Sequence, residues 1–445
     1  MGTKLSLSVV TIFLIAVSGC KPGDLTEKTI QVDVSTGALT AKLKKEKDRR
    51  KIPRFVHKKI NYEFNEKRYT AWTLRKNQIK KTEFMWSIRY FKNRPGFGEN
   101  KQERSKEWMN NLIDSTLANR YPNHIQTGII CRNTNLRLLP TNKPHFSHFK
   151  HDGQGFPFDN LQNSAIHVNT PVMVTHLNKT KSWAYVKSGF ASGWVQVQDL
   201  AYTGPRFKKA YKKVNRYIAT IKEDTPIFTL SNNFLFKANI GSQFKKVGET
   251  KSHYLIIVPM PNAKRYAYVK KAKIPKTHAV EKPYPLTIQN ISKLCDELLD
   301  QPYGWGGLYE NRDCSALIQD VFSPFSIWLP RHSSAQAKKG GVYINLSTLE
   351  PEKREEMIKK NATPYLTLLW LPGHIMLYVG QHQDRAIVFH NIWGLRTKDA
   401  LKRKIIGRTV LTTLEPGKHI KDLDHKMSLL NRVEGMTLLV PRYPN

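Results

Sequence analysis

Cys314 heads an apolar, helix-spaced set, Ala316, Leu317, Ile318, Val321 and Phe322, that closes at Ser323-Pro324. The glycine-rich stretch Tyr303-Gly-Trp-Gly-Gly and then Asp313 lead into it. A thiol at a helix N-terminus meets unpaired N–H groups and the positive end of the helix dipole, so this position predicts a thiolate that forms more readily than that of a free cysteine. Such a nucleophile needs a base, and the base needs orienting. Pro372-Gly-His374 opens a predicted strand that runs to Gly380, and Ala386-Ile-Val-Phe-His390 reads as a second strand ending in histidine. If the two pair beside the helix, His374 takes the thiol proton and His390 fixes its tautomer. A lone cysteine or histidine is ordinarily structural. Three in this order within about 80 residues point to covalent cysteine catalysis, with no cofactor.

The elements that must position these groups fall into several domains, because 445 residues exceed what one core normally holds. Residues 52–123 carry helically spaced apolar residues, among them Trp72, Phe84, Trp86, Trp108 and Met109, with a break at Pro95-Gly-Phe-Gly. Residues 124–205 change to short runs such as Pro171–Val174 and Trp183–Val186, punctuated by Pro, Gly and Asn, as in a small β barrel. The ending Gly189-Phe-Ala-Ser-Gly-Trp-Val-Gln-Val resembles bacterial SH3 domains. Residues 214–276 repeat the style more weakly, Pro275–Pro285 reads as a linker, and the catalytic domain fills 284–445.

The N-terminus sets a location. Lys4, an apolar run from Leu5 to Val17 and the small-residue site Val17-Ser-Gly-Cys20 fit a secretory signal over 1–19. The cysteine at its end resembles a bacterial lipobox, which makes Cys20 a lipidation site and 20–51 a basic tether. A lipid-anchored monomer of the bacterial envelope, facing the periplasm, is expected. Lys21 favours the outer membrane over the inner. The formal charge of +37 would suggest nucleic acid in a cytosolic protein, but no nucleic-acid motif accompanies the lysine runs. Lipid head groups and murein carboxylates are the anions a lipoprotein meets. His145, His148 and His151 lie between Pro144 and Gly153 in an expected loop with no cysteine partner, so no metal site is expected. Cys131 and Cys295 read as buried small residues rather than a disulfide.

The segments Pro302-Tyr-Gly-Trp-Gly-Gly, Asp313-Cys-Ser, Leu329-Pro-Arg-His-Ser-Ser-Ala-Gln336 and Pro372-Gly-His374 resemble the NlpC/P60 cell-wall peptidases. The resemblance implies an α+β fold: a papain-like catalytic domain preceded by two small SH3-like β barrels and a helical N-terminal segment. It assigns Cys314 as nucleophile, His374 as base and His390 as third member, ahead of the rival His332. It also places Tyr303 near the oxyanion, and Trp305, Asp313 and Ser315 beside the substrate. Ala316 stands where the family commonly has glycine.

With the domain order, the chain resembles γ-D-glutamyl-L-diamino acid endopeptidases. These cut murein stem peptides with a free N-terminal L-alanine, the first barrel narrowing the cleft. An amidase or acyltransferase on the same triad, or a murein-binding protein without catalysis, are the other classes. Asp159, in the long insertion Gly155-Phe-Pro-Phe-Asp, either meets the substrate amine or caps a turn. Arg331 pairs either with a substrate carboxylate or with Asp313 or another local acid.

Overall fold

The structure, a computed structural model, describes residues 54–440. The expected signal segment, Cys20 and the basic tether therefore lie outside the described residues. Helices α1 (Arg54–Thr73), α2 (Lys81–Phe91) and α3 (Lys106–Ser115) open the described chain. Ser105 caps α3 by accepting the Trp108 N–H at 3.0 Å, which satisfies one of the orphan donors of the first turn. Phe84 of α2 stacks on Tyr121 at 4.2 Å and meets Tyr185 edge-on at 5.0 Å, so this segment is packed onto the barrel that follows. Trp86, expected among the apolar helix residues, is instead 50 % exposed and stacks on Tyr90.

The first barrel comprises β1 (Gln126–Ile130), β2 (Thr134–Arg137), β3 (Gln162–Ile166), β4 (Pro171–Leu177), β5 (Trp183–Lys187), β6 (Ser192–Gln196) and β7 (Leu200–Tyr202). Its antiparallel order is β3-β2-β6-β5-β4-β1-β7. The connection between β2 and β3 is the long excursion that carries Phe156, Phe158 and Asp159. Helix α4 (Pro205–Lys213) starts with proline at its first position and turns Tyr211 towards Trp72, leaving Lys209, Lys212 and Lys213 exposed.

The second barrel comprises β8 (Tyr217–Thr220), β9 (Thr225–Thr229), β10 (Phe234–Ala238), β11 (Gln243–Glu249), β12 (His253–Pro261), β13 (Ala267–Pro275) and β14 (Ala279–Lys282), in the order β10-β9-β13-β12-β11-β8-β14. The expected linker over Pro275–Pro285 is thus corrected. Its centre is the edge strand β14, paired with β8 in the register Val280↔Ala219. Only four residues pair, and prolines flank them, which is why the segment reads as coil.

The last domain contains α5 (Ile288–Leu298), α6 (Cys314–Phe322), α7 (Ser333–Lys339), β15 (Val342–Asn345), α8 (Pro351–Asn361), β16 (Thr367–Leu371), β17 (His374–His382), β18 (Arg385–Arg396), β19 (Arg403–Thr413), α9 (Leu429–Arg432) and β20 (Gly435–Leu438). The sheet order is β15-β20-β16-β17-β18-β19, antiparallel throughout. Side chains alternate across it. Ile375, Leu377 and Phe389 share one core with Leu317, Ile318, Val321 and Phe322 of α6. Met376, Tyr378 and Val388 share the opposite core with Ile358 and Leu430. Each such fully buried side chain contributes about 1.5–3 kcal/mol, and the first set holds α6 across β17 and β18.

The barrels are fastened to this domain by buried polar contacts. Arg312 binds Glu223 of the second barrel through two bonds of 2.9 Å and Asp320 of α6 at 2.7 Å, while His167 of the first barrel reaches Asp320 at 3.2 Å. Gly306 and Gly307, both at positive φ, pass directly against β3. A Cβ on Gly307 would lie 2.5 Å from the Ala165 Cβ, so a side chain there must push the first barrel away. Gly307→Ala should therefore cost about 2–4 kcal/mol from strain and overlap together, read as a lower denaturation midpoint. An unchanged midpoint would show that this contact does not hold the domains.

Candidate active site

Helix α6 starts at Cys314 because Asp313 caps it. The Asp313 carboxylate accepts the Ala316 N–H at 2.8 Å, the Ser315 hydroxyl at 3.1 Å and the Gly306 N–H at 3.1 Å. Arg331 adds a two-pronged contact at 3.0 and 2.7 Å. Burial alone would push this carboxyl up, but the Arg331 guanidinium and the other donors outweigh it and hold Asp313 below the usual carboxylate range. Of the two partners expected for Arg331, the structure supplies Asp313. Its Nη1 also donates to the Ser315 hydroxyl at 2.8 Å, and its Nε to Ser164 of β3 at 2.8 Å.

Cys314 has only 8 % of its surface exposed. Burial, and then the adjacent Asp313 carboxylate, push the thiol up to about 12, although the Ile375 and Ser315 N–H groups and Arg331 favour the thiolate. The readily ionised thiol expected from the helix terminus is thus corrected. A helix end contributes roughly 0.3–1 kcal/mol, less than desolvation of a charge in a closed site. The contact with the Ile375 N–H sets the sulfur against the start of β17, next to the residue after His374.

His374 begins β17, half-buried, with its Nε2 2.8 Å from Nδ1 of His390. His390 is fully buried, and its own Nε2 lies 3.0 Å from the Thr412 hydroxyl, which donates to the Thr413 carbonyl at 2.8 Å. The polarity of this chain follows from the inventory of donors. Because the Thr412 proton goes to a carbonyl, its oxygen accepts from His390 Nε2–H, so His390 Nδ1 accepts from His374 Nε2–H. Nδ1 of His374 is left with a lone pair. Burial, helped by the Arg432 charge and opposed by Asp313, holds His374 down to about 4, so the imidazole is neutral at physiological pH. Burial, then the neighbouring His374, holds His390 well below its ordinary value too.

Tyr303 donates its N–H to the Gly407 carbonyl at 2.8 Å. Burial, and then the nearby Cys314 and Asp313, push its phenol well above the ordinary value, which keeps it a hydrogen-bond donor. Aromatic rings line the rim. Phe158, from the first barrel, stands 6.0 Å from Tyr303, 5.2 Å from Trp305 and 5.5 Å from Trp393, and Phe156 faces Tyr309 at 6.2 Å.

The structure therefore gathers Cys314, His374, His390, Tyr303, Asp313, Ser315 and Arg331 at one place, with Trp305 on its rim. Asp159 is different. It binds Arg137 at 2.6 Å and accepts the His145 and Leu161 N–H groups at 3.0 and 2.9 Å, so it caps its loop, the second of its two expected roles. His332 precedes α7 and takes no part in the histidine pair. Thr412, Trp393 and Arg432 carry no signal in the sequence, since a single residue on a strand or at a helix end has no spacing pattern, whereas Phe158 belongs to the insertion that begins at Gly155. Behind α6 lies a cavity of about 480 Å³ between the barrels and the last domain, lined by Arg331, Asp320 and Asp159 but not by Cys314, His374 or Tyr303.

Family models agree with this layout. The model for the NlpC/P60 family matches residues 300–392, an SH3 domain of SH3b1 type 144–196, an SH3 domain of SH3b2 type 205–250, and the NLPC_P60 stabilising domain, N term, residues 9–121. The chain is an NlpC/P60 protein with two SH3 domains and an N-terminal stabilising domain, in a family of peptidoglycan hydrolases. An NlpC/P60 endopeptidase from Photobacterium damselae subsp. piscicida is similar across nearly its whole length, with 25 % identity, 92 % of this chain and 98 % of that one covered, and a TM-score of 0.79. An NlpC/P60 family protein from Bacillus cereus ATCC 10987 has 14 % identity, coverage of 71 % and 100 %, and a TM-score of 0.47. No curated protein sequence matches the chain.

Proposed function

We propose that the protein hydrolyses the γ-D-glutamyl to diamino acid bond of murein stem peptides through a Cys314–His374–His390 mechanism. The observation that carries this reading is the directed chain from the Thr413 carbonyl through Thr412 and His390 to His374, which leaves a basic nitrogen for the thiol. Because thiol and imidazole are both neutral at rest, the proton moves as the bond forms. The Cys314 sulfur attacks the γ-glutamyl carbonyl carbon while His374 Nδ1 takes its proton, and His390 Nδ1 stabilises the imidazolium through the 2.8 Å contact. The oxyanion falls to the Tyr303 hydroxyl and the Cys314 N–H. As the C–N bond breaks, His374 returns the proton to the leaving amine. It then deprotonates the water that opens the thioester, and as the C–S bond breaks it passes that proton to the departing Cys314 sulfur.

The preference for a free L-alanine amine rests on the aromatic rim, not on Asp313. With Arg331 bound in two places, that carboxylate has no charge to spare for an ammonium. Phe158 instead narrows the approach beside Tyr303. The test is mass analysis of products from L-Ala-γ-D-Glu-diaminopimelate, with the alanine amine free, formylated or carrying a bulky acyl group. Release of diaminopimelate is expected to be fastest from the free amine, slower from the formylated peptide and slowest from the third, and equal rates for all three would reject the narrowed approach. Intact tripeptide alongside cleavage of other acyl bonds would favour an amidase or transferase.

We further propose that Cys20 is lipidated and holds the enzyme in the bacterial envelope, facing the periplasm, on the outer membrane in preference to the inner. The lipobox-like Val17-Ser-Gly-Cys20 supports this. Mass analysis of the mature N-terminus tests it, and an unmodified terminus elsewhere than Cys20 rejects it.

A further inference from the structure

Three arginines gather near one another without a matching set of acids, and one of them, Arg432, acts on the catalytic base. Arg396 and Arg403 face each other in register across β18 and β19. Arg432, at the end of α9, donates from Nη2 to the Pro372 carbonyl at 3.1 Å, two residues before His374. The acids around them do not complete the pairing. Asp424 pairs with the Arg396 Nε only loosely, at 3.9 Å and outside hydrogen-bond distance, so this buried Nε has no hydrogen-bond partner. Asp152 accepts the backbone N–H of Arg403 at 2.8 Å, and no side-chain hydrogen bond or ion pair of Arg403 occurs among the described residues. Glu434 is the remaining acid that acts on Arg432. Burial and mutual repulsion accordingly hold Arg403 and Arg432 below the ordinary arginine value, with only partial relief from Asp152 and Glu434.

Three guanidinium groups in partial burial, one with a buried unfilled donor at Arg396 Nε, form an anion site rather than a solvated charge run, because an unfilled donor and mutual repulsion both cost free energy that an anion would recover. Its place tells which anion. His374 delivers its proton to the departing amine, so the amine-side half of the substrate must lie on the imidazole side of the thiol. That is the side on which Arg432 holds the Pro372 carbonyl. Resting on the proposed hydrolysis, we propose that Arg396, Arg403 and Arg432 form a subsite for the carboxylates of the diamino acid released as the leaving group. These residues position the substrate; they do not touch the reacting atoms.

The test compares three substrates on the whole protein. Two are L-Ala-γ-D-Glu-diaminopimelate with the diamino acid carboxylates free or converted to carboxamides. The third is an L-Ala-γ-D-Glu anilide, whose leaving group has no carboxylate. The unmodified enzyme should prefer the carboxylate peptide over the carboxamide by about tenfold or more in kcat/KM, as expected for a charge-assisted contact. In Arg403→Gln and Arg432→Gln that ratio should fall towards one, through KM more than kcat. Hydrolysis of the anilide with a ratio near one in the unmodified enzyme overturns the arginine subsite while leaving the proposed activity standing, and this needs no variant to fold. Failure to hydrolyse any of the three overturns the activity, and the subsite with it.

Discussion

Cys314→Ala should lose about 10⁴-fold or more of the turnover of L-Ala-γ-D-Glu-diaminopimelate and still fold, because the nucleophile has no substitute in the site. Cys295, the other cysteine of this domain, is wholly buried within α5, where burial pushes its thiol well up. The stability change should stay within about 1 kcal/mol, since a small neutral side chain is removed from a helix start whose cap, Asp313, is untouched. Retention of a hundredth of the turnover would reject the assigned nucleophile. The same geometry fixes the resting state. A thiol pushed up to about 12 beside an imidazole held down to about 4 is a neutral pair, so alkylation of Cys314 by iodoacetamide should be slow at neutral pH without substrate.

The pH profile follows from His374. As a base it works only when unprotonated, so kcat/KM should rise with pH through about 4 and then stay level towards neutrality. Stability moves in the same direction. Between the unfolded histidine value of about 6.5 and the folded value of about 4, the unfolded chain holds a proton that the native His374 does not. Stability is therefore lost as pH falls through that window, and this contribution changes no further below it. An acid limb of activity near 6.5 would mean that burial does not govern the imidazole.

What could be read from the sequence was what is local or periodic. The helix start and the two histidine-bearing strands follow from the spacing after Cys314 and from the apolar runs beside His374 and His390, whereas the capping role of Asp313 came only with the structure. The relay beyond His390 was not legible, because Thr412 meets it only through the pairing of β18 with β19, in the register Val388↔Thr412. The thiol's ionisation is not legible in the chain for a related reason. Helix position is written in the chain, whereas the closure that desolvates Cys314 is assembled from β17, Tyr303 and Arg331 in three dimensions. The Gly306-Gly307 pair illustrates the same limit: its composition marks a turn, but the demand for two residues without Cβ comes from β3 of another domain.

The buried Arg331–Asp313 pair should be the costliest contact of the site to break from one side. In Arg331→Met the Asp313 carboxylate keeps its Ser315 and backbone donors but loses its counter-charge, and a lone buried charge costs about 3–5 kcal/mol. The loss also cuts the 2.8 Å bond from Arg331 to Ser164, so the first barrel loses a tether beside the nucleophile. Adding Asp313→Asn should restore most of the stability, because asparagine still caps α6 and no charge is left unpaired. Denaturation of the two single variants and the double variant measures the coupling directly. Additive losses, with no recovery in the double variant, would mean that the pair is not what holds the helix start. Turnover separates the second role of Arg331, whose charge favours the Cys314 thiolate. The double variant should regain its fold but not its full kcat, since an environment lacking that cation leaves the developing negative charge on sulfur and oxyanion less well supported.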